Sequence, residues 1–349
     1  MMICRRQIIV AARPMLAYWP ERIPMTPAAS IPLIDLRNQD EHIIPELAQA
    51  LCEIGFVLVA GHGVPEALVG ELRDQTVKYF DRPLPDKLAD SIEPENYRGY
   101  IPLGFFSPNA ARDHPGTAAD QYEGYKLHLE IEANDAIRAQ CDLYGPNQWP
   151  PDGDALKAAV LAFWRACNAA GERLLRLIAR IMDVDESAFL SLFECPLTNM
   201  TLLHYPPATA GSDGFGIHPH KDTDALTLLF PDPVGGLWLR PRDSKEWLEV
   251  SAPPGTMVVN IGDLLELWSG GLFVSTPHKV VNTSGQERYS FPFFMVPRHD
   301  VVVAPLITCQ NGYQREPVPV GTVSREVWRT NWLNNKSSHS GFDLGTLTD

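Results

Sequence analysis

The spacing of apolar positions divides the chain into two textures. Residues 46–54 place Leu47, Ala50, Leu51 and Ile54 at helical intervals, and residues 66–80 do the same with Leu68, Leu72, Val77 and Phe80. Between them, Gly55-Phe56-Val57-Leu58-Val59-Ala60 is a continuous apolar run of strand length, closed by Gly61-His62-Gly63-Val64-Pro65. Ile31-Pro32-Leu33-Ile34-Asp35-Leu36 reads as a short strand with a proline at its edge. Amphipathic spacing returns over 155–177, with a second helical stretch continuing to Met182. From Asn199 onward short strands take over, at 200–205, 225–230, 236–240, 247–250, 257–261, 278–282 and 290–296. Turn residues separate them at short intervals, which predicts a mainly β sandwich or barrel with flanking helices. Residues 90–127 fit neither texture and read as a long loop with embedded aromatics. Such loops often line sites, although ordinary packing explains them as well.

The β-rich half also carries the candidate chemistry. His220-Lys221-Asp222 places an imidazole and a carboxylate two residues apart, and in a strand such residues share a face. His278 follows on another expected strand. Two imidazoles and one carboxylate can bind one face of a ferrous ion and leave its other positions open. His218 and Asp224 compete for the same register. The apolar run 225–229 directly after Asp222 favours His220 and Asp222, leaving His218 a supporting or substrate-facing place. Taken singly, each histidine is more often a hydrogen-bonded core or surface imidazole. Arg288 and Ser290 are again two residues apart, so a guanidinium and a hydroxyl can grip one carboxylate, with Tyr205 as a further hydroxyl. A surface ion pair is the bland alternative for Arg288. The following Phe291-Pro292-Phe293-Phe294 argues instead for burial and a specific partner.

With these motifs in this order, the chain resembles the iron(II)/2-oxoglutarate-dependent dioxygenase superfamily, in its isopenicillin N synthase-like group. The resemblance covers roughly residues 30–335. It rests on Ile31 to Leu36, Gly55-Phe56 through Pro65, Leu203-His204-Tyr205-Pro206-Pro207, His220-Lys221-Asp222 with Leu226-Thr227-Leu228-Leu229, and Gly235-Gly236-Leu237. It continues through Asn260-Ile261-Gly262-Asp263, Trp268-Ser269-Gly270-Gly271, His278-Lys279-Val280 and Arg288-Tyr289-Ser290. The resemblance implies a double-stranded β-helix, or jelly roll. It implies His220, Asp222 and His278 as the catalytic metal ligands, and Arg288 and Ser290, helped by Tyr205, as the cosubstrate clamp. Fe(II), 2-oxoglutarate and O2 are the implied cofactors, with ascorbate as an accessory reductant. The implied reaction oxidises a small organic molecule and releases succinate and CO2. Hydroxylation is the default; desaturation, ring closure or demethylation need only a different placement of the substrate. Two positions depart from many relatives: Leu203 stands where an Asn is frequent, and Lys279 where an Arg is frequent. Three rivals stand beside this reading. An oxidase of the isopenicillin N synthase kind keeps the same residues without using 2-oxoglutarate. A non-catalytic jelly-roll binding protein would be expected to have lost a ligand. A zinc hydrolase leaves the Arg-x-Ser pair unexplained.

Composition narrows the setting. The 349 residues are 45% hydrophobic and 21% charged, enough for the core of one large β-rich enzyme. A net charge of -14 disfavours nucleic acid and anionic membranes, so any anionic substrate must be met by local Lys or Arg. Six scattered cysteines without C-x-x-C read as buried thiols of an intracellular protein, expected in the cytoplasm. No apolar run is long enough to span a bilayer. Residues 1–24 are expected to be a dispensable disordered extension, although Arg5-Arg6 before Ile8-Ile9-Val10 faintly resembles a signal peptide that Arg13-Pro14 interrupts. An N-terminal helical and strand region is expected over 25–150, a helix-plus-jelly-roll catalytic core over 151–335, and a flexible tail over 336–349. The substrate pocket is expected to draw on Tyr97, Arg98, Tyr100, Tyr122, Tyr125, Phe215 and a C-terminal helix near Trp328 to Trp332. The protein is expected to act as a monomer or weak homo-oligomer.

Overall fold

The first two apolar runs form β1 (Leu33–Asp35) and β2 (Phe56–Ala60), paired in parallel. Between them α1 (Asp40–Glu53) starts earlier than the expected 46 and runs through Pro45. Proline removes a helical donor, but tertiary anchoring wins: Ile43 and Leu47 are buried together, and Asp40 pairs with Arg173 and Arg180. Then come α2 (Glu66–Phe80), at the expected bounds, and the short α3 (Leu84–Leu88). This computed structural model describes residues 31–105, 119–208, 214–242, 244–310 and 312–330, with side chains through 328. The expected extension 1–24, the tail 336–349 and Trp332 lie outside the described residues.

Residues 90–127 depart from the loop expectation. β3 (Gly99–Ile101) and β4 (Glu123–His128) pair antiparallel, with Gly99 opposite Lys126. The run from Tyr122 to His128 does alternate, but one side of it is Tyr122, Gly124, Lys126 and His128. A strand with a glycine and charge on its inner side is invisible to hydrophobic periodicity. The stretch 155–182 is a single helix, α4 (Asp154–Ile181), rather than two. Gly171 in its middle is a contact point rather than a break: a Cβ there would lie 2.0 Å from Met295 Sδ. The short α5 (Glu186–Ser191) follows.

The remaining strands are β5 (Asn199–Tyr205), β6 (Phe215–His220), β7 (Leu226–Leu229), β8 (Leu237–Leu239), β9 (Leu248–Glu249) and β10 (Met257–Ile261). After them come α6 (Asp263–Trp268), β11 (His278–Val281), β12 (Arg288–Ser290) and β13 (Phe293–Met295). The described chain closes with a small pair, β14 (Val302–Val303) and β15 (Val318–Pro319), and α7 (Val320–Thr330). The main sheet runs β1-β2-β10-β7-β13-β5-β4-β3, with β12 also on β5, and a second sheet runs β6-β11-β8-β9. The expected strand 290–296 is split because Pro292 cannot donate to a ladder. β12 therefore pairs with the Leu203–Tyr205 end of β5, and β13 pairs with Asn199 and Met200.

Two-residue alternation gives the main sheet two cores. Val57, Val59, Met200, Leu202, Leu226, Leu228 and Phe293 face outward into the helix-backed core. There Trp164 of α4 meets Phe293 edge-on at 4.9 Å between ring centroids. Phe56, Leu58, Leu203, Tyr205, Leu229 and Val258 face inward and pack with Leu237, Leu239 and Val280 of the second sheet. The result is the jelly roll with flanking helices that the sequence led us to expect. Its inward positions 199, 201, 227 and 260 are polar and sit at one end of this inner layer.

Candidate active site

The second sheet brings the two histidines together directly, because His278 on β11 is the register partner of His220 on β6. Their ring centroids are 4.3 Å apart. Each Nδ1 faces a backbone carbonyl, His218 O at 2.8 Å for His220 and Thr276 O at 3.2 Å for His278. A carbonyl can only accept, so each Nδ1 carries the proton and each Nε2 is left with its lone pair free. Asp222 lies just past the end of β6 instead of on it, so the shared-face argument from sequence does not explain its placement. Its position comes from the main sheet. Thr227 Oγ1 and Asn260 Nδ2, on register partners of β7 and β10, reach Asp222 Oδ2 at 2.6 and 2.8 Å. That leaves Oδ1 facing His220 Nε2 at 3.7 Å and His278 Nε2 at 3.6 Å. The three ligand atoms lie within 4.8 Å of one another.

Electrostatics agree with this geometry. Burial would raise the Asp222 carboxyl, but the two imidazoles and the Thr227 and Asn260 bonds outweigh it and hold it below the ordinary value. Burial and the neighbouring His220 push His278 down to about 4, so it stays neutral, as a ligand must. Asp224, the competing carboxylate, is pushed well up by burial and by Asp222. Thr227 Oγ1 lies 2.8 Å from Asp224 Oδ2 as well, and one hydroxyl proton cannot serve two acceptors. A protonated Asp224 resolves this: it donates to Thr227, which donates to Asp222.

The clamp residues are positioned by β12, where Arg288 and Ser290 lie opposite Tyr205 and Leu203 of β5 and are buried. Arg288 Nε donates to Gly235 O at 2.7 Å, and its Cζ lies 4.7 Å from the Tyr205 ring centroid. Arg288 Nη1 is buried and has no hydrogen-bond partner among the described residues. An unpartnered buried guanidinium nitrogen fits an incoming carboxylate. Burial pushes the Tyr205 hydroxyl up to about 12 against the pull of Arg288, so it remains a donor. Gly216 makes room for the Tyr205 ring, since a Cβ there would lie 2.5 Å from Tyr205 Cδ1.

A cavity of about 280 Å³ opens beside the His220 and Asp222 side chains. Tyr97 and Tyr122 line it as expected, together with Leu203, His218, and Val320, Val323, Val327 and Trp328 of α7. His218 is a support: its Nδ1 and backbone N meet Asp120 Oδ1 at 2.7 and 3.0 Å, and its carbonyl orders His220. Four of the expected pocket residues do not line the cavity. Arg98 is spent on Leu143 O and Asn96 Oδ1. Tyr100 and Tyr125 pack outward around Tyr79, and Phe215 lies tilted against His218 with the Lys279 ammonium over its ring. Lys279, where Arg is frequent, lies over the Trp247 ring. Sequence reasoning gave no role to Thr227, Asn260, Lys126, Asn199 and Thr201. The available signal was a single polar residue in an otherwise apolar strand, as in Leu-Thr-Leu-Leu and Met-Val-Val-Asn-Ile.

Comparison with known proteins gives matches across both halves of the chain. Residues 197–297 match the 2OG-Fe(II) oxygenase superfamily, and residues 31–152 match the family described as non-haem dioxygenase in morphine synthesis N-terminal. A curated relative, the 2-oxoglutarate-Fe(II) type oxidoreductase hxnY of Emericella nidulans, is 33% identical over 285 residues, covering 79% of this chain and 80% of that protein. A putative 2OG-Fe(II) oxygenase family protein from Caulobacter crescentus superposes with a TM-score of 0.75 at 25% identity, covering 86% of this chain and 99% of the other. A full-length Neurospora crassa protein in complex with alpha-KG and thymine superposes equally well, with a TM-score of 0.75 at 24% identity, over 88% of this chain and 99% of that one.

Proposed function

The chain belongs to the 2OG-Fe(II) oxygenase superfamily, and from that premise we propose that it oxidises a small organic molecule at a ferrous centre held by His220, Asp222 and His278. 2-Oxoglutarate and O2 are the cosubstrates, and hydroxylation is the default outcome. Arg288, Ser290 and Tyr205 take the far carboxylate of 2-oxoglutarate. Residues 25–150 supply one wall of the substrate cavity, and residues 151–335 supply the metal and cosubstrate groups. The observation that carries this reading is the convergence of three ligand atoms of the right chemistry within 4.8 Å. The unpartnered Arg288 Nη1 supports the cosubstrate half of it. The thymine bound by the Neurospora crassa neighbour supports a substrate of small-molecule size.

Iron with 2-oxoglutarate and O2 supplies the oxidising power when bound. The protein's own residues do the rest. The backbone carbonyls of His218 and Thr276 fix both imidazole tautomers. Thr227 and Asn260 fix the carboxylate rotamer. Arg288 orients the cosubstrate, and the apolar residues of α7 that line the cavity exclude water from it. The test is a visible spectrum of the metal-free protein after anaerobic addition of Fe(II) and then 2-oxoglutarate. A weak metal-to-ligand charge-transfer band is expected. Bound iron without a band overturns the cosubstrate assignment and points to an oxidase of the isopenicillin N synthase kind.

A further inference from the structure

Lys126 sits on β4 with its side chain toward the inner layer, where it lines the cavity that contains His220 and Asp222. Its register partner on β5 is Thr201. Nζ donates to Asn199 Oδ1 at 2.6 Å and to Thr201 Oγ1 at 3.2 Å. An ammonium has three protons, so these two neutral acceptors leave one donor. Among the described residues, no carboxylate pairs with Nζ. The buried lysine of this region, Lys87, does have such a partner in Glu123 at 2.8 Å. A lysine taken out of water without a counter-charge costs free energy that a structural role does not recover. Lys126 keeps part of its surface open to the cavity, so an entering molecule can reach it.

Another part of the lining is of a different kind, and it reaches the same strand face, where Trp328 meets His128 at 4.8 Å between ring centroids. Val320, Val323, Val327 and Trp328 of α7 present an apolar surface, and Trp328 stacks on Tyr97 at 5.3 Å between ring centroids. The cavity thus has one cationic, hydrogen-bonding wall and one apolar wall, with two metal-ligand candidates also on its lining. We propose that Lys126, set by Asn199 and Thr201, is the specificity-determining residue of the cavity and binds a carboxylate on the primary substrate, whose small apolar body lies against α7. This rests on the oxygenase reading of the site given above. Burial pushes the Lys126 ammonium down to about 7, with Asp222 and Asp224 pulling the other way. A cation held in that balance gains strongly from an incoming negative charge. The net charge of -14 leaves such a local cation as the means of attracting an anionic substrate.

The test uses full-length protein under anaerobic conditions with Fe(II) and saturating 2-oxoglutarate, so that Arg288 is already occupied. Binding of 3-phenylpropionate and of its neutral isostere 3-phenylpropionamide is measured by calorimetry. The acid is expected to bind at least about tenfold more tightly than the amide. Lys126→Met and Lys126→Gln are expected to abolish that preference while leaving the charge-transfer band intact. Equal binding of acid and amide, no acid binding at millimolar concentration, or a preference that survives both substitutions overturns the proposal. So does a Lys126 variant that weakens 2-oxoglutarate instead, because the cation would then belong to the cosubstrate. The wild-type comparison stands even if neither variant folds. Absence of the band in wild type would be a failure of the oxygenase reading, and the acid and amide would then be compared on the metal-free protein.

Discussion

Strand β4 carries two charged residues three positions apart, the buried Glu123 and the half-buried Lys126, and their surroundings are opposite. Glu123 faces the helices. Its Oε2 receives Tyr100 Oη at 2.5 Å and Lys87 Nζ at 2.8 Å, and its Oε1 meets His204 Nδ1 at 2.8 Å. Every oxygen is matched by a group of this chain, with nothing left to bind. On the inner face, Lys126 has a spare donor, Arg288 has a bare nitrogen, and three ligand atoms point at a common centre. Each side holds a charged group on the same strand, closed off at Glu123 and partly open to the cavity at Lys126. The two sides differ in whether the protein completes its own valences. A closed network stabilises the fold, and an open one is held ready for something else.

If the comparison holds, substitutions on the two faces should separate function from stability. The largest effect is expected from Asp222→Ala, which removes the carboxylate that Thr227 and Asn260 hold in place. Turnover should fall by at least about 10³-fold, with iron binding lost and the melting temperature little changed. Activity that persists in this variant would move the metal elsewhere. Arg288→Ala comes next. The apparent KM for 2-oxoglutarate should rise about a hundredfold, since truncating one side of a buried charged pair typically costs about 2–5 kcal/mol. Steady-state succinate release against 2-oxoglutarate concentration reads this, and an unchanged KM would dissolve the clamp.

The smallest expected effect is on the closed side. Glu123→Gln should leave succinate release unchanged and lower stability by about 2 kcal/mol at neutral pH, measured by denaturant unfolding. Its pH dependence has a defined sign. Burial alone would raise the Glu123 carboxyl, but the bonds from His204, Lys87 and Tyr100 bring it below the ordinary value. The folded value is thus below the unfolded one. The stabilisation is present above the ordinary glutamate range and is lost as pH falls through the folded value, which lies below that range. The Gln variant should show a flatter loss of stability over that acid range. A catalytic defect in Glu123→Gln would mean the two faces of β4 are coupled.

Much of this molecule was legible in the sequence wherever chemistry and periodicity coincided. Short runs separated by turn residues from Asn199 onward marked most of the strands, and His220, Asp222, His278, Arg288 and Ser290 stood out because metal and carboxylate binding need those side chain types. The geometry that unites them was less legible. Asp222 is off the end of β6, and its rotamer is decided by Thr227 and Asn260, which come from two strands of the opposite sheet. Register between distant strands is not written in local spacing. β4 was hidden for a related reason: its two faces alternate, but Glu123 interrupts the outer one and the inner one is glycine, lysine and histidine, so the alternation is not one of apolar against polar. Arg98 invited a substrate role through its charge, yet the fold uses it to bind the Leu143 carbonyl.

The position of α7 has a consequence for how such an enzyme changes. The proposed iron ligands are fixed at the junction of two sheets by strands from the later part of the chain. The apolar side of the substrate cavity is one helix surface near the end of the described chain, contributing Val320, Val323, Val327 and Trp328. None of the four is a proposed metal ligand, and Val327 and Trp328, which are less buried than the core residues Val320 and Val323, can be exchanged with the least disturbance. The reaction and the choice of molecule are therefore inherited separately in this architecture, and new substrates can be acquired by repainting one helix while the oxidation chemistry is passed on unaltered.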